Sequence, residues 1–147
     1  MLTDQEILNE GRDVLRIESE AIDGIQEVLG EPFVQAVRLI LSAKGNLIFS
    51  GVGKSGHVGR KLAATFSSTG TAAFFVHADE AAHGDLGMVK SADVFVAISF
   101  SGESEELLTI LPALKALGVR IISMTGRADS SLAKAADVSL FGDAHCP

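Results

Sequence analysis

NLIFSGVGKSGHVG, residues 46–59, joins a short apolar run to a glycine-rich turn and then to a segment of helical spacing. The run has the length of a strand, and Gly51, Gly53 and Gly56 suit a tight passage from strand into helix. The turn has two familiar readings. Gly53-Lys54-Ser55 resembles a triphosphate loop, but that loop needs another glycine five residues earlier, where Ile48 stands inside the strand. That reading fails. Gly51-x-Gly53-x-x-Gly56 matches a dinucleotide-binding turn, and Asp79 or Glu80 stands where a ribose-binding acid belongs. Such a domain begins at its first strand, however, whereas residues 1–44 precede this one, and the three glycines alone are a weak signal.

Working outward, an alternating pattern follows. It predicts strands at 46–50, 72–77, 93–99, 120–125 and 138–141, and helices at 56–68, 103–117 and 130–136, with Gly70 and Gly118 as helix stops. Strands alternating with helices imply a doubly wound, Rossmann-like α/β fold, a five-stranded parallel sheet flanked by helices. Two further helices are predicted before it. Over residues 4–29 the pairs Ile7–Leu8, Val14–Leu15, Ala21–Ile22 and Val28–Leu29 recur every seven residues and form one apolar stripe. The stripe either packs on its own domain or forms an arm that also packs on a partner subunit. Pro32 then opens a second helix that runs to about residue 43.

The 147 residues suit one domain, with N-terminal helices over 1–44 and a βα core over 45–147. The composition is 47% hydrophobic, as a sheet buried on both faces requires. Twelve basic residues against nineteen acidic ones leave a net charge of -7. No basic block appears, which argues against nucleic-acid binding. No signal peptide or membrane span is recognisable, and the single cysteine, Cys146, forms no internal disulfide. A cytoplasmic protein is expected.

Ligands of open parallel sheets bind beyond the carboxyl ends of the strands. Here those ends carry GVGKSG, HADEAAHGD, SFSGESEE and TGR, all rich in glycine, hydroxyls, histidine or charge. In the third loop Ser99, Ser101 and Ser104 surround Gly102 at a helix start. A helix start offers unpaired N–H groups and the positive end of the dipole, and hydroxyls add neutral donors. One hydroxyl would suffice as a cap, so three point to phosphate binding.

GVGKSGHVGRKLAATFSSTGT, FFVHADEAAHGDLGMV, AISFSGESEELLTILPALK and TGRADSSLAKAADV together resemble the sugar isomerase (SIS) domain, and more narrowly the arabinose 5-phosphate isomerases. The resemblance covers residues 10–137. It implies an enzyme, an aldose–ketose isomerase that interconverts D-arabinose 5-phosphate and D-ribulose 5-phosphate on the route to Kdo, a lipopolysaccharide sugar. It also implies a tetramer whose sites draw on neighbouring subunits, with no organic cofactor. By the same resemblance Lys54 and Glu106 are catalytic candidates, and His83, matched to a position lining the sugar site, joins them as a catalytic candidate on chemical grounds. Ser99, Ser101 and Ser104 receive the phosphate, with Gly53 and Ser55 beside them, while Gly70, Thr71 and His77 line the sugar site and His77 is a candidate zinc contact.

The residue types suit the chemistry. Moving a proton between C1 and C2 through a cis-enediolate needs a base, a group that stabilises the oxyanion and a fixed phosphate handle. Lys54 suits the oxyanion or the phosphate, and Glu106 or His83 suits proton transfer. His83 is also placed to cap a turn, Glu106 to complement the helix dipole, and His57 is read as structural. The chain departs from the family pattern at Phe100, where a polar residue is common. After Asp137 it lacks the family segment that carries a further glutamate and histidine, so Asp143 and His145 receive no role. The paired CBS repeats of many members are absent too. A non-catalytic phosphosugar-binding module is the alternative reading.

Overall fold

The computed structural model describes residues 2–142. Asp143, His145 and Cys146, named above, lie outside them. Helix α1 spans Asp4–Val28 and begins with a reciprocal cap: Thr3 Oγ1 accepts the Glu6 N–H at 3.3 Å, and Glu6 Oε2 accepts the Thr3 N–H at 2.7 Å. These bonds to Thr3, its backbone first, hold the Glu6 carboxyl below the ordinary carboxylate value. Helix α2 spans Glu31–Ser42 with Pro32 in its first turn, where proline's missing N–H costs nothing.

The βα core follows as β1 (Leu47–Gly51), α3 (Gly53–Ser68), β2 (Ala73–Phe75), α4 (Ala78–Ala82), a 3-10 turn (Asp85–Met88), β3 (Val94–Ile98), α5 (Glu105–Ala116), β4 (Arg120–Thr125), α6 (Ser131–Ala135) and β5 (Val138–Phe141). The five strands form one parallel sheet in the order β2-β1-β3-β4-β5. On one face Ile48, Phe95, Ala97 and Ile121 pack with Ala78 and Ala81 of α4, Leu107, Ile110 and Leu114 of α5, and Leu132 of α6. On the other, Leu47, Phe49, Val94, Val96 and Ile122 meet Ala36 of α2 and Ala63 of α3. Helix α3 lies close to the sheet because a Cβ on Gly59 would stand 3.0 Å from the Phe75 ring. At the amino end, buried Asp93 accepts the backbone N–H groups of Asn46 and Lys90, each at 2.7 Å, and so ties β3 to the entry of β1.

Several boundaries differ from those read in the sequence. Helix α3 starts at Gly53, not residue 56, so Lys54 and Ser55 stand in a first helical turn and not in a loop. Strand β2 ends at Phe75, and the expected strand end at His77 is instead the N-cap of α4. Neither α4 nor the 3-10 turn was predicted, since elements this short carry too few residues to show a period. Helix α5 starts at Glu105 because Gly102, at φ +65, breaks the chain direction before it. His57, read as structural, is exposed on α3.

The largest departure concerns α1, which buries no residue in its own chain. Leu15 is 67% exposed and Ile22 65%, so the stripe does not pack on its own domain. No helix among the described residues is long and apolar enough to cross a membrane.

Candidate functional site

The strand order reverses direction between β1 and β3, the switch point where doubly wound sheets open a crevice at their carboxyl ends. Gly51 at the end of β1 pairs in register with Ile98 at the end of β3. The two segments that follow, Val52–Ser55 and Ser99–Ser104, therefore leave the sheet side by side. Sequence position alone separates Lys54 from Ser99 by more than forty residues; the register removes that distance. The connection is tight, since a Cβ on Gly51 would stand 3.0 Å from both the Ile98 carbonyl oxygen and the Ser55 carbonyl carbon.

The serine loop is ordered by its own hydroxyls. Ser99 Oγ and Ser104 Oγ stand 2.7 Å apart, and Ser99 Oγ also accepts the Gly102 N–H at 3.1 Å. Ser101 Oγ accepts the Glu103 N–H at 3.2 Å, so Ser101 orders the loop and does not cap α5. Ser104 occupies the N-cap of α5 without a side-chain cap bond. The first-turn N–H groups of α5 thus point to the loop without a hydroxyl spent on them, a ready arrangement for an anion. Glu106 is half-buried in that first turn. Lys54 is exposed and forms no ion pair among the described residues.

The histidines occupy the two ends of α4. His77 Nδ1 accepts the Asp79 N–H at 3.3 Å, and His83 is the C-cap residue. Helix α4 packs on α5, which brings this segment to the flank of the helix that carries Glu106. Among the described residues no group of three His, Cys, Asp or Glu side chains is assembled that could hold a metal. Among the described residues, therefore, His77 has no assembled partners for a zinc centre within one chain.

Gly70 and Thr71 are not brought to this crevice. They precede β2, and Ala72 O accepts the Leu47 N–H at 2.9 Å, at the amino end of the sheet. There they line a small hollow of about 250 Å³ with Ile40, Leu41 and Gly45. Within one chain Gly70 acts as the helix stop after α3, as its position in the sequence implied.

A larger groove, about 660 Å³, includes Lys54 and Ser55 in its lining, with Phe33, Val58, Phe100, Met124 and Phe141. Phe100 is 69% exposed and lies over Gly126, where a Cβ would come within 2.7 Å of its ring. The sequence marked Phe100 only as a departure from a family pattern; that it forms a wall of this groove depends on the partner loop after β4. Sequence reasoning also missed Ser50, a buried hydroxyl at the end of β1 with no hydrogen-bond partner among the described residues. Nothing local in the sequence distinguishes it from a strand serine packed against its neighbours.

Comparison with known proteins agrees with this architecture. The SIS domain family model matches residues 39–142. The arabinose 5-phosphate isomerase KdsD of Pseudomonas aeruginosa is 46% identical over 145 residues, covering 97% of this chain and 44% of that protein. KdsD of Escherichia coli K12 is 52% identical over 130 residues, covering 88% of this chain and 40% of that protein. The chain therefore spans less than half the length of these relatives. Among solved structures, the c3406 protein of E. coli CFT073 in complex with arabinose 5-phosphate superposes with a TM-score of 0.91 at 42% identity, covering 95% of this chain and 74% of that one. With the doubly wound sheet, the serine loop at its switch point and these matches, the chain belongs to the SIS domain family.

Proposed function

We propose that this chain is the sugar-isomerising domain of an arabinose 5-phosphate isomerase, interconverting D-arabinose 5-phosphate and D-ribulose 5-phosphate on the route to Kdo. The observation that carries this reading is the juxtaposition of the serine loop with Lys54 across the β1/β3 switch point. Ser99, Ser101 and Ser104 hold the phosphate together with the N–H groups at the start of α5. The Ser99–Ser104 hydroxyl pair needs only bond rotation to turn a donor toward the ligand.

With the phosphate fixed, the sugar lies toward Lys54, Gly53 and Ser55. Lys54 stabilises the oxyanion of the cis-enediolate, a charge that develops only as the C–H bond breaks. Glu106 or His83 takes the proton from C2 of the aldose and returns it to C1 of the ketose. Both stand on the paired helices α4 and α5 or at their ends. No step uses a metal or an organic cofactor.

The active form is a homo-oligomer, a tetramer by family resemblance, and the cytoplasm is its site of action. The exposed apolar stripe of α1 supports assembly, because such a face is stable in water only against a partner. Assembly also supplies a place for Gly70 and Thr71: remote from their own serine loop, they line a neighbour's sugar site. On this reading α1 serves as the assembly arm while α2 packs on the sheet, so that the N-terminal helices of 1–44 and the βα core of 45–147 form a single domain.

The test is to incubate the oligomer with D-arabinose 5-phosphate and follow ribulose 5-phosphate. Conversion is expected, with turnover lost and binding retained in Glu106→Gln. Saturable binding without turnover would replace the isomerase with a phosphosugar-binding module, and absence of both would end the reading.

A further inference from the structure

The serine loop is joined along its length to the segment between β4 and α6. Gly126 N–H donates to Phe100 O at 2.9 Å, and Leu132 N–H donates to Gly102 O at 3.0 Å. The third bond is of a different kind. The Ser131 N–H donates to Glu103 Oε1 at 2.8 Å, a contact between residues 28 apart in sequence. The packing between the two segments is close: a Cβ on Gly102 would overlap the Ser130 side chain.

Helix α6 does not need Glu103 in order to start. Ser130 already caps it, with Ser130 Oγ accepting the Ala133 N–H at 3.3 Å. The carboxylate therefore adds little to α6 that the local cap lacks. Its effect falls on the loop, where Glu103 follows Gly102 and stands between Ser101 and Ser104. Without it, the only hydrogen bond joining the stretch between two phosphate-binding hydroxyls to the start of α6, among the described residues, would be that to the Gly102 carbonyl.

We infer that Glu103 is a positioning residue, a carboxylate clamp that fixes the serine loop against the start of α6 so that Ser101 and Ser104 present their hydroxyls together. This rests on the serine loop being the phosphate site. The hydrogen bond from the Ser131 backbone holds the Glu103 carboxyl below the ordinary value, so the clamp stays charged through neutral and mildly acidic pH.

Charge offers a decisive test, because a free carboxylate beside a phosphate would weaken binding by repulsion. Glu103→Gln and Glu103→Ala both remove the charge, but only glutamine keeps an acceptor for Ser131. Binding of inorganic phosphate and of D-arabinose 5-phosphate is measured by calorimetry on the intact oligomer. Glu103→Ala is expected to bind each probe roughly fivefold more weakly than Glu103→Gln, the effect of losing one hydrogen bond. Where turnover is present, KM rises by the same factor and kcat is unchanged.

Ser131→Pro removes the donor from the other side. Proline is favoured at a first helical position, and the extended backbone of Ser130 (φ -66°, ψ 158°) suits a residue before proline. This variant should match Glu103→Ala, and the double variant should be no weaker than either single one. Equal binding by the alanine and glutamine variants, or additive losses in the double variant, would overturn the clamp. If the parent chain binds neither probe, the phosphate site itself falls and the clamp with it.

Discussion

Helices α1 and α5 carry apolar residues at the same helical spacing and meet opposite fates. Leu107, Ile110, Leu111 and Leu114 of α5 are buried against the sheet, with Leu114 wholly inaccessible. On α1, twice as long, Ile7, Leu8, Val14, Leu15 and Ile22 are all more than half exposed. Periodicity reports that a face must be covered, not what covers it. The difference comes from connection: α5 lies between two paired parallel strands and must return over the sheet, whereas α1 precedes the first strand and is free to extend. One helix is fixed by its own chain and starts beside the serine loop; the other keeps its apolar face exposed in the single chain.

Substitutions should separate these two roles. The largest effect is expected at the functional end of α5, where Glu106→Gln should lower turnover by roughly 10²–10⁴-fold, the usual contribution of a positioned acid–base group. Unfolding by denaturant should be unchanged in that variant. Next comes the buried face of the same helix: Leu114→Ala should cost about 2–5 kcal/mol, read as a lower denaturation midpoint at unchanged slope.

Smaller effects are expected on α1. Thr3→Ala removes the reciprocal cap and should cost about 1 kcal/mol of local helix stability, seen as faster amide exchange in the first turn of α1 alone. Leu15→Glu with Ile22→Glu should change the folding stability of the single subunit by about 0.5 kcal/mol or less. The same pair should abolish self-association by light scattering and remove the concentration dependence of the melting temperature. An unfolded double variant at every concentration would place α1 in the subunit's own core.

Much of the core was legible because parallel strands buried on both faces read as continuous apolar runs. The bounds of β4 and β5 coincide with those read from RIISMT and VSLF. The approach of the GVGKSG and SFSGESEE segments was legible too, since loops at the carboxyl ends of a parallel sheet lie on one side of it. What escaped depended on contacts between distant segments. The start of α5 moved to Glu105 because Gly102, at φ +65, turns the chain before it, and the Glu103 side chain reaches across to Ser131. The α4 segment hid within HADEAAHGD because a five-residue helix is specified by its cap and its packing on α5, not by a period. Gly70 and Thr71, assigned to the sugar site by resemblance, lie at the amino end of the sheet, a separation that only strand direction reveals.

The decisive observation is where a sugar phosphate binds, read by titrating D-arabinose 5-phosphate into isotope-labelled protein and following backbone amide resonances. Binding in the crevice at the β1/β3 switch point predicts saturable shifts at Lys54, Ser101, Gly102, Glu105 and Glu106 with one common dissociation constant. Gly70 and Thr71 should shift with them in the oligomer and stay still in the Leu15→Glu, Ile22→Glu subunit. Saturation that leaves the amides of the serine loop and Lys54 unmoved would contradict a phosphosugar site there.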